Sequence, residues 1–540
     1  MAPNIADLVE HAVDLVPDRV AVACGDRQVT FAQLEERANR LAHHLAEHGV
    51  GPGDHVGIQC HNSIEAVETM IAAFKLRAVA VNVNYRYLEN ELRYLYTNAD
   101  LVALVHDRRY TPRVAAVLPD APMLRHRIVL DDGTGAVVPS DHGVDYAAAL
   151  AAGSPDRDFG ERSGDDIYIL FTGGTTGHPK GVVWRHEDVW RALGGGIDFL
   201  TGVPVADEWT QSQAGKDFGL VRMCLAPLIH GAAQWATLPT LFGCGTAVLA
   251  EKFDPHDAWR AIERHKVHVV TLVGDAMARP MIEAYAEGGY DGSSLFAISS
   301  HAALFSPSVQ KQYLEAFPNI MLTDAIGSSE SGFTGIQVVT RDGAYSGGPR
   351  VKAGPDVIVV DDDGRPVPSG SGEIGRIART GPLPQGYYKD PEKTAALYIE
   401  VDGTRYVLPG DFARMEVDGT VTLLGRGNTC VNTAGEKVFP EEVEGALKSH
   451  PDVYDALVIG VPDERLGRRV GAVVAPRPGA APDLAALDAH VRDLLAGYKV
   501  PRSVWLVDEI GRLPSGKPDY RWAHQHAAAH APAAPTSAAH

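Results

Sequence analysis

The feature that most constrains this chain is a buried strand that runs without a break into a loop of glycine, threonine and lysine. The apolar residues 168–171 (Tyr-Ile-Leu-Phe) lead directly into Thr-Gly-Gly-Thr-Thr-Gly-His-Pro-Lys-Gly-Val at 172–182. Glycines permit positive φ and close approach of backbone N–H groups to an anion, threonines add hydroxyl donors, and Lys180 adds a positive charge. The loop therefore predicts a binding site for polyphosphate.

The spacing within this loop excludes two common nucleotide-binding motifs. No Gly-Lys-Ser/Thr closes the loop, as a Walker A motif requires, and the loop does not match the dinucleotide pattern GxGxxG. Kinases, P-loop ATPases and hydride transferases are therefore disfavoured.

Segments typical of strands and helices alternate along most of the chain. Apolar residues recur at helical spacing over 30–49, and β-rich runs such as 55–59 and 79–84 are interleaved with helical stretches such as 64–76. This alternation predicts an α/β fold with stacked, mostly parallel sheets and right-handed crossovers. Closely spaced strands with Asp/Gly turns over 357–379 predict a small β subdomain.

The length and the pattern changes predict the domain organisation. A chain of 540 residues is too long for one ordinary core. After Gly-Arg-Gly-Asn at 425–428 a strand–helix–strand pattern begins, so we expect an N-terminal domain over 1–427 and a small α+β domain over 428–522. Residues 523–540 are rich in alanine, histidine and proline, and we expect a disordered tail there.

Charge and cysteine usage restrict the partners and the compartment. The formal charge of −20 offers no general attraction for nucleic acid or anionic membranes, so local donors must hold any anionic ligand. The five cysteines lie far apart without a CxxC pair, which favours reduced thiols and a cytoplasmic location. We expect no secretion signal and no transmembrane segment. No pattern indicates an oligomeric state.

Residues 172–182 closely resemble the phosphate loop of the acyl-adenylating (AMP-binding) superfamily, which includes acyl-CoA synthetases, firefly luciferase and peptide-synthetase adenylation domains. Residues 183–188 (Val-Trp-Arg-His-Glu-Asp) and 432–444 (Asn-Thr-Ala-Gly-Glu-Lys-Val-Phe-Pro-Glu-Glu-Val-Glu) are similar to actinobacterial fatty-acyl and steroid side-chain CoA ligases. The resemblance covers approximately residues 10–520. It implies a mobile C-terminal domain and ATP-dependent, AMP-forming activation of a carboxylic acid, followed by thioester formation with coenzyme A.

The resemblance also implies which residues act on the phosphates. Lys517, in Leu-Pro-Ser-Gly-Lys at 513–517, corresponds to the lysine that offsets negative charge at the carboxylate and α-phosphate during adenylation. Glu330, in Thr-Asp-Ala-Ile-Gly-Ser-Ser-Glu at 323–330, and Thr175 are the implied Mg²⁺ ligands, since a hard cation takes oxygen ligands. The other implied residues of the phosphate loop are Thr172, Gly173, Gly174, Thr176, Gly177 and Lys180.

Further implied contacts involve the nucleoside and the domain boundary. Asp324 corresponds to a position beside adenine, Asp411 to the acceptor for both ribose hydroxyls, and Arg426 to a contact with ribose and phosphate. Asn428 falls at the hinge between the domains. The loop at Gly435 would approach the site when the small domain rotates and the coenzyme A thiol attacks.

The implied acyl pocket departs from the family pattern. His230, in Pro-Leu-Ile-His-Gly at 227–231, is either a catalytic residue at the carboxylate end or a hydrogen-bonded core histidine. The implied pocket residues are Ser300, His301, Ala302 and Gly327. Relatives carry two glycines where His301 and Ala302 stand, so the imidazole should shorten or reshape the pocket. Ile326 replaces an aromatic residue, so we expect weaker stacking on adenine.

Three functional hypotheses follow. The first is an acid:CoA ligase for a fatty or steroid side-chain acid that uses ATP, Mg²⁺ and coenzyme A. The second is a tailoring enzyme that activates an aryl acid or nitrite, or passes the acyl group to an amine, without coenzyme A. The third, a degenerate binding protein, is disfavoured because the functional residues Lys180, Glu330, Asp411, Arg426 and Lys517 are all present.

Overall fold

The structure, a computed structural model, describes residues 3–136, 138–139, 142–172, 178–198, 201, 203–301, 303–339, 350–427, 429–433, 436–463, 465–513 and 516–535. The helices in this part of the chain are α1 (Ile5–Leu15), α2 (Phe31–Glu47), α3 (Ile64–Lys75), α4 (Glu89–Asn98), α5 (Thr111–Val117), α6 (Tyr146–Ala152), α7 (His186–Leu193), α8 (Thr210–Gly215), α9 (Gly231–Phe242), α10 (Pro255–His265), α11 (Gly274–Ala286), α12 (Pro307–Ala316), α13 (Pro391–Ala396), α14 (Pro440–Lys448), α15 (Leu484–Leu494) and α16 (Tyr520–Ala529).

The strands of the same residues are β1 (Val20–Cys24), β2 (Arg27–Thr30), β3 (His55–Gln59), β4 (Val79–Asn82), β5 (Leu101–Asp107), β6 (His126–Leu130), β7 (Val144–Asp145), β8 (Ile167–Thr172), β9 (Lys180–Arg185), β10 (Val221–Cys224), β11 (Thr246–Leu249), β12 (Val269–Leu272), β13 (Ala297–His301), β14 (Met321–Ser328), β15 (Gly332–Val339), β16 (Arg350–Ala353), β17 (Val357–Val360), β18 (Ile374–Arg379), β19 (Gly386–Tyr387), β20 (Tyr398–Val401), β21 (Thr404–Val407), β22 (Asp411–Met415), β23 (Thr420–Arg426), β24 (Val431–Thr433), β25 (Glu436–Val438), β26 (Val453–Asp463), β27 (Gly467–Pro476), β28 (Ser503–Leu506) and β29 (Ala534–Pro535).

Two large sheets organise the N-terminal part of the chain, as the α/β prediction requires. One sheet has the order β19-β9-β8-β4-β3-β5-β6-β7 and is parallel from β8 to β7. The other has the order β2-β1-β11-β10-β12-β13-β14-β15-β16-β23-β22-β18-β21-β20, with β17 beside β18, and is parallel from β1 to β14. The β-rich segment 357–379 therefore extends this second sheet with antiparallel strands.

Local sequence signals explain the first elements of the fold. Helix α2 begins at a capping box in which Thr30 and Gln33 bond to each other's backbone N–H groups, and its apolar face is buried as its periodicity predicts. Helix α3 is buried along its whole length. Its single lysine, Lys75, pairs with Glu10 and lies 2.9 Å from Glu35 Oε1, because a buried ammonium group requires partners.

The small α+β unit follows the predicted order of elements. Strands β26, β27, β28 and β29 form its sheet, and helices α14 and α15 pack on an apolar cluster that includes Val443, Val458 and Val491. The expected disordered tail differs from the structure, because α16 continues to Ala529 and Trp505 Nε1 donates to His530 O at 2.9 Å. The proposed boundary between residues 427 and 428 stays a prediction.

Two sequence-based expectations concern the chain as a whole. The five cysteines are free thiols. Within the described ranges, no helix is both long and apolar enough to cross a membrane.

Candidate active site

The two ends of the predicted phosphate loop lie side by side in a hairpin. Thr172 at the end of β8 is the register partner of Lys180 at the start of β9. Asn82 supports this base: its Nδ2 donates to Phe171 O and Ile229 O at 2.7 Å each, and its Oδ1 accepts from Phe171 N at 2.8 Å. No sequence motif pointed to Asn82. Five predicted loop residues lie outside the described residues: Gly173, Gly174, Thr175, Thr176 and Gly177.

Tyr387 brings the predicted phosphate-binding lysine close to the predicted metal-binding acid. Strand β19 pairs with β9 and places Tyr387 beside Val182. Lys180 Nζ lies 5.0 Å from the centroid of the Tyr387 ring, and the Tyr387 hydroxyl donates to Glu330 Oε1 at 3.1 Å. One ring therefore links an ammonium group to a carboxylate. Sequence reasoning missed Tyr387, because its strand pairing joins segments far apart in the chain.

Two buried carboxyl groups, Asp324 and Asp275, lie near each other. Asp324 on β14 is the register partner of Ser300 on β13. Burial, and after it the carboxylate of Asp275, raises the pKa of Asp324 to about 8. Asp275 is held at the start of α11, where its Oδ1 accepts from Ser306 N at 2.8 Å. At neutral pH Asp324 is therefore mainly protonated and can donate a hydrogen bond.

The raised pKa of Asp324 predicts how stability depends on pH. Between pH 4 and 8 the folded chain keeps a proton that the unfolded chain has lost, so stability should fall as pH rises through this interval. In Asp324→Asn this contribution is absent. We expect the melting temperature of the wild type to fall more between pH 5 and 8.5 than that of the variant. Equal slopes would contradict the assignment, and the exposed Asp362→Asn should keep the wild-type slope.

His230 and Lys517 come together from distant parts of the chain. His230 precedes α9, and its buried Nε2 has no hydrogen-bond partner among the residues that the structure describes. Burial of the ring, and then the positive charges of Lys517 and Arg86, lowers the pKa of His230 to about 3. A neutral imidazole with an open nitrogen beside Lys517 favours the pocket interpretation of His230 over that of a hydrogen-bonded core histidine.

Arg512 holds the turn that carries Lys517. Leu513 N donates to Lys517 O at 2.9 Å, which closes the turn. Arg512 Nη1 donates to Gly516 O at 3.0 Å, and its Nη2 donates to Asp455 Oδ1 at 2.8 Å. Gly516 has φ +78°, and a Cβ at this position would lie 3.4 Å from a side chain of α11. The turn therefore rests against the N-terminal domain, in a conformation that favours glycine.

Helix α11 provides charged contacts to the small α+β unit. The contacts are Asp275 Oδ2 to Lys448 Nζ at 3.9 Å, the Arg279 guanidinium to the Tyr454 ring centroid at 5.3 Å, and Glu283 Oε1 to Arg477 Nη1 at 3.4 Å. Ion pairs and a cation–π contact are typical of interfaces between parts of a chain that move relative to each other. These contacts hold the unit where the charge of Lys517 influences the pKa of His230.

The residues predicted for the ribose lie next to each other. Asp411 on β22 is buried and is the register partner of Arg426 on β23. The preceding Gly425 has φ +130°, and a Cβ there would collide with the carboxylate of Glu441 on α14. Because the Glu441 side chain is flexible, the positive φ is the main reason that glycine is favoured where β23 meets the small unit.

The predicted pocket strand presents its residues to both faces of the sheet. His301 Nε2 and Ser299 Oγ lie 2.9 Å apart, and burial followed by the charge of Arg222 lowers the pKa of His301 to about 4. On the opposite face, Ser300 Oγ accepts from Gly274 N at 3.2 Å. Strand β13 therefore does not place Ser300 and His301 on one surface. The predicted pocket residue Ala302, the predicted hinge residue Asn428 and the predicted loop residue Gly435 lie outside the described ranges.

Ile326 and Gly327 follow on the neighbouring strand β14. Ile326 is buried in an apolar cluster with Val351 and Val359, so its side chain contributes to the core of the sheet. Gly327 is exposed and pairs with Phe333 on β15. The position where the family resemblance implies an aromatic residue thus contributes to packing in this chain.

Comparisons with known proteins agree with this architecture. The profile of the family "AMP-binding enzyme" matches residues 9–388, and that of the "AMP-binding enzyme C-terminal domain" matches residues 442–517. The 3-oxocholest-4-en-26-oate–CoA ligase of Rhodococcus rhodochrous is 58% identical over 530 residues, which cover 97% of this chain and 96% of the relative. The medium/long-chain-fatty-acid–CoA/3-oxocholest-4-en-26-oate–CoA ligase of Mycobacterium tuberculosis is 56% identical over 527 residues, with the same two coverages.

A solved structure has the same fold over nearly the whole chain. The anthranilate CoA ligase AuaEII in complex with anthranoyl-AMP superposes with a TM-score of 0.83 at 24% identity and covers 98% of both chains. This structural similarity shows the fold alone. The family and the reaction are assigned from the two profile matches and the two relatives. The chain belongs to the AMP-binding enzyme family, and its reaction is the ATP-dependent, AMP-forming activation of a carboxylic acid to an acyl adenylate, followed by thioester formation with coenzyme A.

Proposed function

We propose that the acid activated by this enzyme is a carboxylic acid at the end of a steroid side chain. Both relatives described above are named for 3-oxocholest-4-en-26-oate, and the M. tuberculosis enzyme is named for medium- and long-chain fatty acids as well. The imidazole of His301, where the family resemblance implies glycine, should shorten or reshape the acyl pocket, which argues against a plain long-chain fatty acid.

The observation that carries the proposed mechanism is that the charge of Lys517 reaches the buried His230 ring and helps to lower its pKa. During adenylation a carboxylate oxygen forms a bond to the α-phosphorus of ATP, and the bond from that phosphorus to pyrophosphate breaks. The ammonium group of Lys517 offsets the negative charge that accumulates there. His230 is neutral and adds no competing positive charge. Its Nε2, which has no hydrogen-bond partner among the described residues, can form a hydrogen bond with the carboxylic acid substrate.

We propose that Glu330 and Thr175 hold Mg²⁺ and that Lys180 contacts the leaving phosphates. Glu330 fits this role, because its carboxylate oxygens are of the type that Mg²⁺ prefers and lie across the Tyr387 ring from Lys180. When bound, the cation would supply charge neutralisation on the phosphates. Thr172, Gly173, Gly174, Thr176 and Gly177 are proposed to contact the phosphates as well.

The nucleoside is proposed to bind at Asp324, Asp411 and Arg426. Protonated Asp324 would donate a hydrogen bond to an adenine nitrogen, while Asp411 accepts from the ribose hydroxyls and its register partner Arg426 contacts ribose and phosphate. For the second half-reaction, rotation at Asn428 would withdraw Lys517 and bring the Gly435 loop to the site. The thiol of coenzyme A then attacks the acyl carbonyl and AMP leaves.

The test measures pyrophosphate release and thioester formation with ATP and Mg²⁺ across a panel of acids. The panel comprises 3-oxocholest-4-en-26-oate, medium- and long-chain fatty acids, an aryl acid and nitrite, each with and without coenzyme A. We expect kcat/KM for the steroid acid to exceed that for palmitate by at least about 10-fold, which corresponds to about 1.4 kcal/mol of transition-state discrimination.

A matched variant tests the role of the pocket strand. His301→Gly should raise kcat/KM for long linear acids and reduce the preference for the steroid acid, while the control His256→Ala, at a half-buried position on α10, should leave the preference unchanged. Preference for palmitate in the wild type would overturn the substrate proposal. Turnover of nitrite or an aryl acid that ignores coenzyme A would favour the tailoring alternative.

A further inference from the structure

Three histidines converge at the edge of the first sheet, away from the phosphate loop. His44 and His48 occupy positions i and i+4 at the end of α2, and His126 begins β6. Each residue offers one ring nitrogen, and these three atoms lie within 4.8 Å of one another. Nε2 of His44 and Nε2 of His126 are only 3.0 Å apart, although 82 positions separate them in the chain.

A hydrogen bond between the His44 and His126 rings does not fully explain why three histidines meet here. One of the two Nε2 atoms must carry a proton and the other must accept it, which fixes opposite tautomers for His44 and His126. Nδ1 of His44 is buried and has no hydrogen-bond partner among the described residues, whichever tautomer is present. An unpaired buried ring nitrogen costs free energy, so hydrogen bonding alone does not account for three histidines at this point.

We propose that His44, His48 and His126 form a binding site for a divalent cation of the zinc class. Four-coordinate zinc has Zn–N distances of about 2.0–2.1 Å, which places two coordinating nitrogens roughly 3.3 Å apart. The 3.0 Å separation of His44 and His126 is close to this value. The outermost nitrogen of the group, at up to 4.8 Å, needs to move by roughly 1.5 Å.

The position of His48 permits that movement. His48 is exposed, whereas His44 and His126 are buried. Its Nδ1 lies 2.7 Å from His44 O, which leaves Nε2 as the nitrogen for a cation. A cation can therefore reach the site from solvent, and water can complete four ligands.

The electrostatic surroundings suit ligands that must be deprotonated. Burial, followed by the other histidines, lowers the pKa of His126 to about 4, and burial also lowers the pKa of His44. The charged neighbours are the carboxylate of Glu47 beside His44 and the guanidinium of Arg127 beside His126. Both buried rings are therefore neutral at pH 7, and each can offer a ring nitrogen lone pair to a cation.

The site lies apart from the adenylation chemistry. β6 and β8 belong to the same parallel array, so the start of β6 is at the edge opposite to the end of β8, where the phosphate loop leaves. A cation held there would link the end of α2 to the start of β6. It would act on stability, because a ligand that binds only the folded state stabilises that state.

The experiment titrates the metal-free full-length enzyme with Co²⁺, whose d–d absorption band is intense in four-coordinate sites, and then displaces Co²⁺ with Zn²⁺. We expect one equivalent that gives this band and a rise in melting temperature with Zn²⁺. His48→Ala should weaken Co²⁺ binding at least about 10-fold, because it removes one of the three proposed ligands. Unchanged pyrophosphate release by this surface variant would show that it is folded.

A second pair of histidines supplies the matched control. His526 and His530 also stand at i and i+4, with ring centroids 4.2 Å apart, but belong to no described cluster of three. The variant His526→Ala/His530→Ala should keep the band and the thermal shift. Loss of the band in this control but not in His48→Ala would overturn the proposal, as would a wild type without a stoichiometric band.

Discussion

Replacing Lys517 by alanine is expected to lower the rate of pyrophosphate release by about 10²–10³-fold, because the variant lacks the ammonium group that we propose to offset charge at the α-phosphate. The loss should appear mainly in kcat, since this charge develops in the transition state. Thioester formation from a preformed acyl adenylate and coenzyme A should stay near the wild-type rate. The two half-reactions are measured separately, by pyrophosphate release and by thioester yield.

The control for Lys517 is an exposed lysine of the large domain. Lys311 lies on α12, and its Nζ is 3.7 Å from Glu315 Oε1. Lys311→Ala removes this charge and should leave both half-reactions unchanged. Equal slowing of both half-reactions in Lys517→Ala would indicate a structural role. An unchanged rate of pyrophosphate release would contradict the role proposed for Lys517.

Glu330→Gln is expected to lower pyrophosphate release by about 10²-fold and to raise the Mg²⁺ concentration needed for half-maximal rate. The substitution preserves the size of the side chain and an oxygen that can accept from the Tyr387 hydroxyl, but it removes the negative charge. A neutral amide is a much weaker ligand for a hard cation. The measurement is the initial rate over a Mg²⁺ titration at fixed ATP.

Tyr387→Phe tests the positioning of Glu330 separately from its negative charge. This variant keeps the ring beneath Lys180 and loses only the hydroxyl that donates to Glu330. We expect a decrease of less than about 10-fold, with little change in the Mg²⁺ dependence. The Glu330 assignment fails if Glu330→Gln and wild type give the same Mg²⁺ titration.

Much of the fold could be predicted because its signals are local. The periodicity of 30–49 predicts α2, and the short β-rich run 55–59 coincides with β3. The composition of the tail was misleading from residue 523 to 529, because α16 buries Ala523 against Trp505 and Ile510. That contact depends on a strand and a loop earlier in the chain, so tail composition alone could not reveal it.

The sequence by itself determined the fold class, and its short motifs predicted the chemical groups of the site, namely Lys180, Glu330, Asp411 and Lys517. Only the tertiary structure decided how these groups are supported and charged. Tyr387, Asn82 and Arg512 act through pairings between distant segments that no local pattern encodes. The protonation of Asp324 and the neutrality of His230 depend on burial and on neighbouring charges, which exist only once the chain is packed.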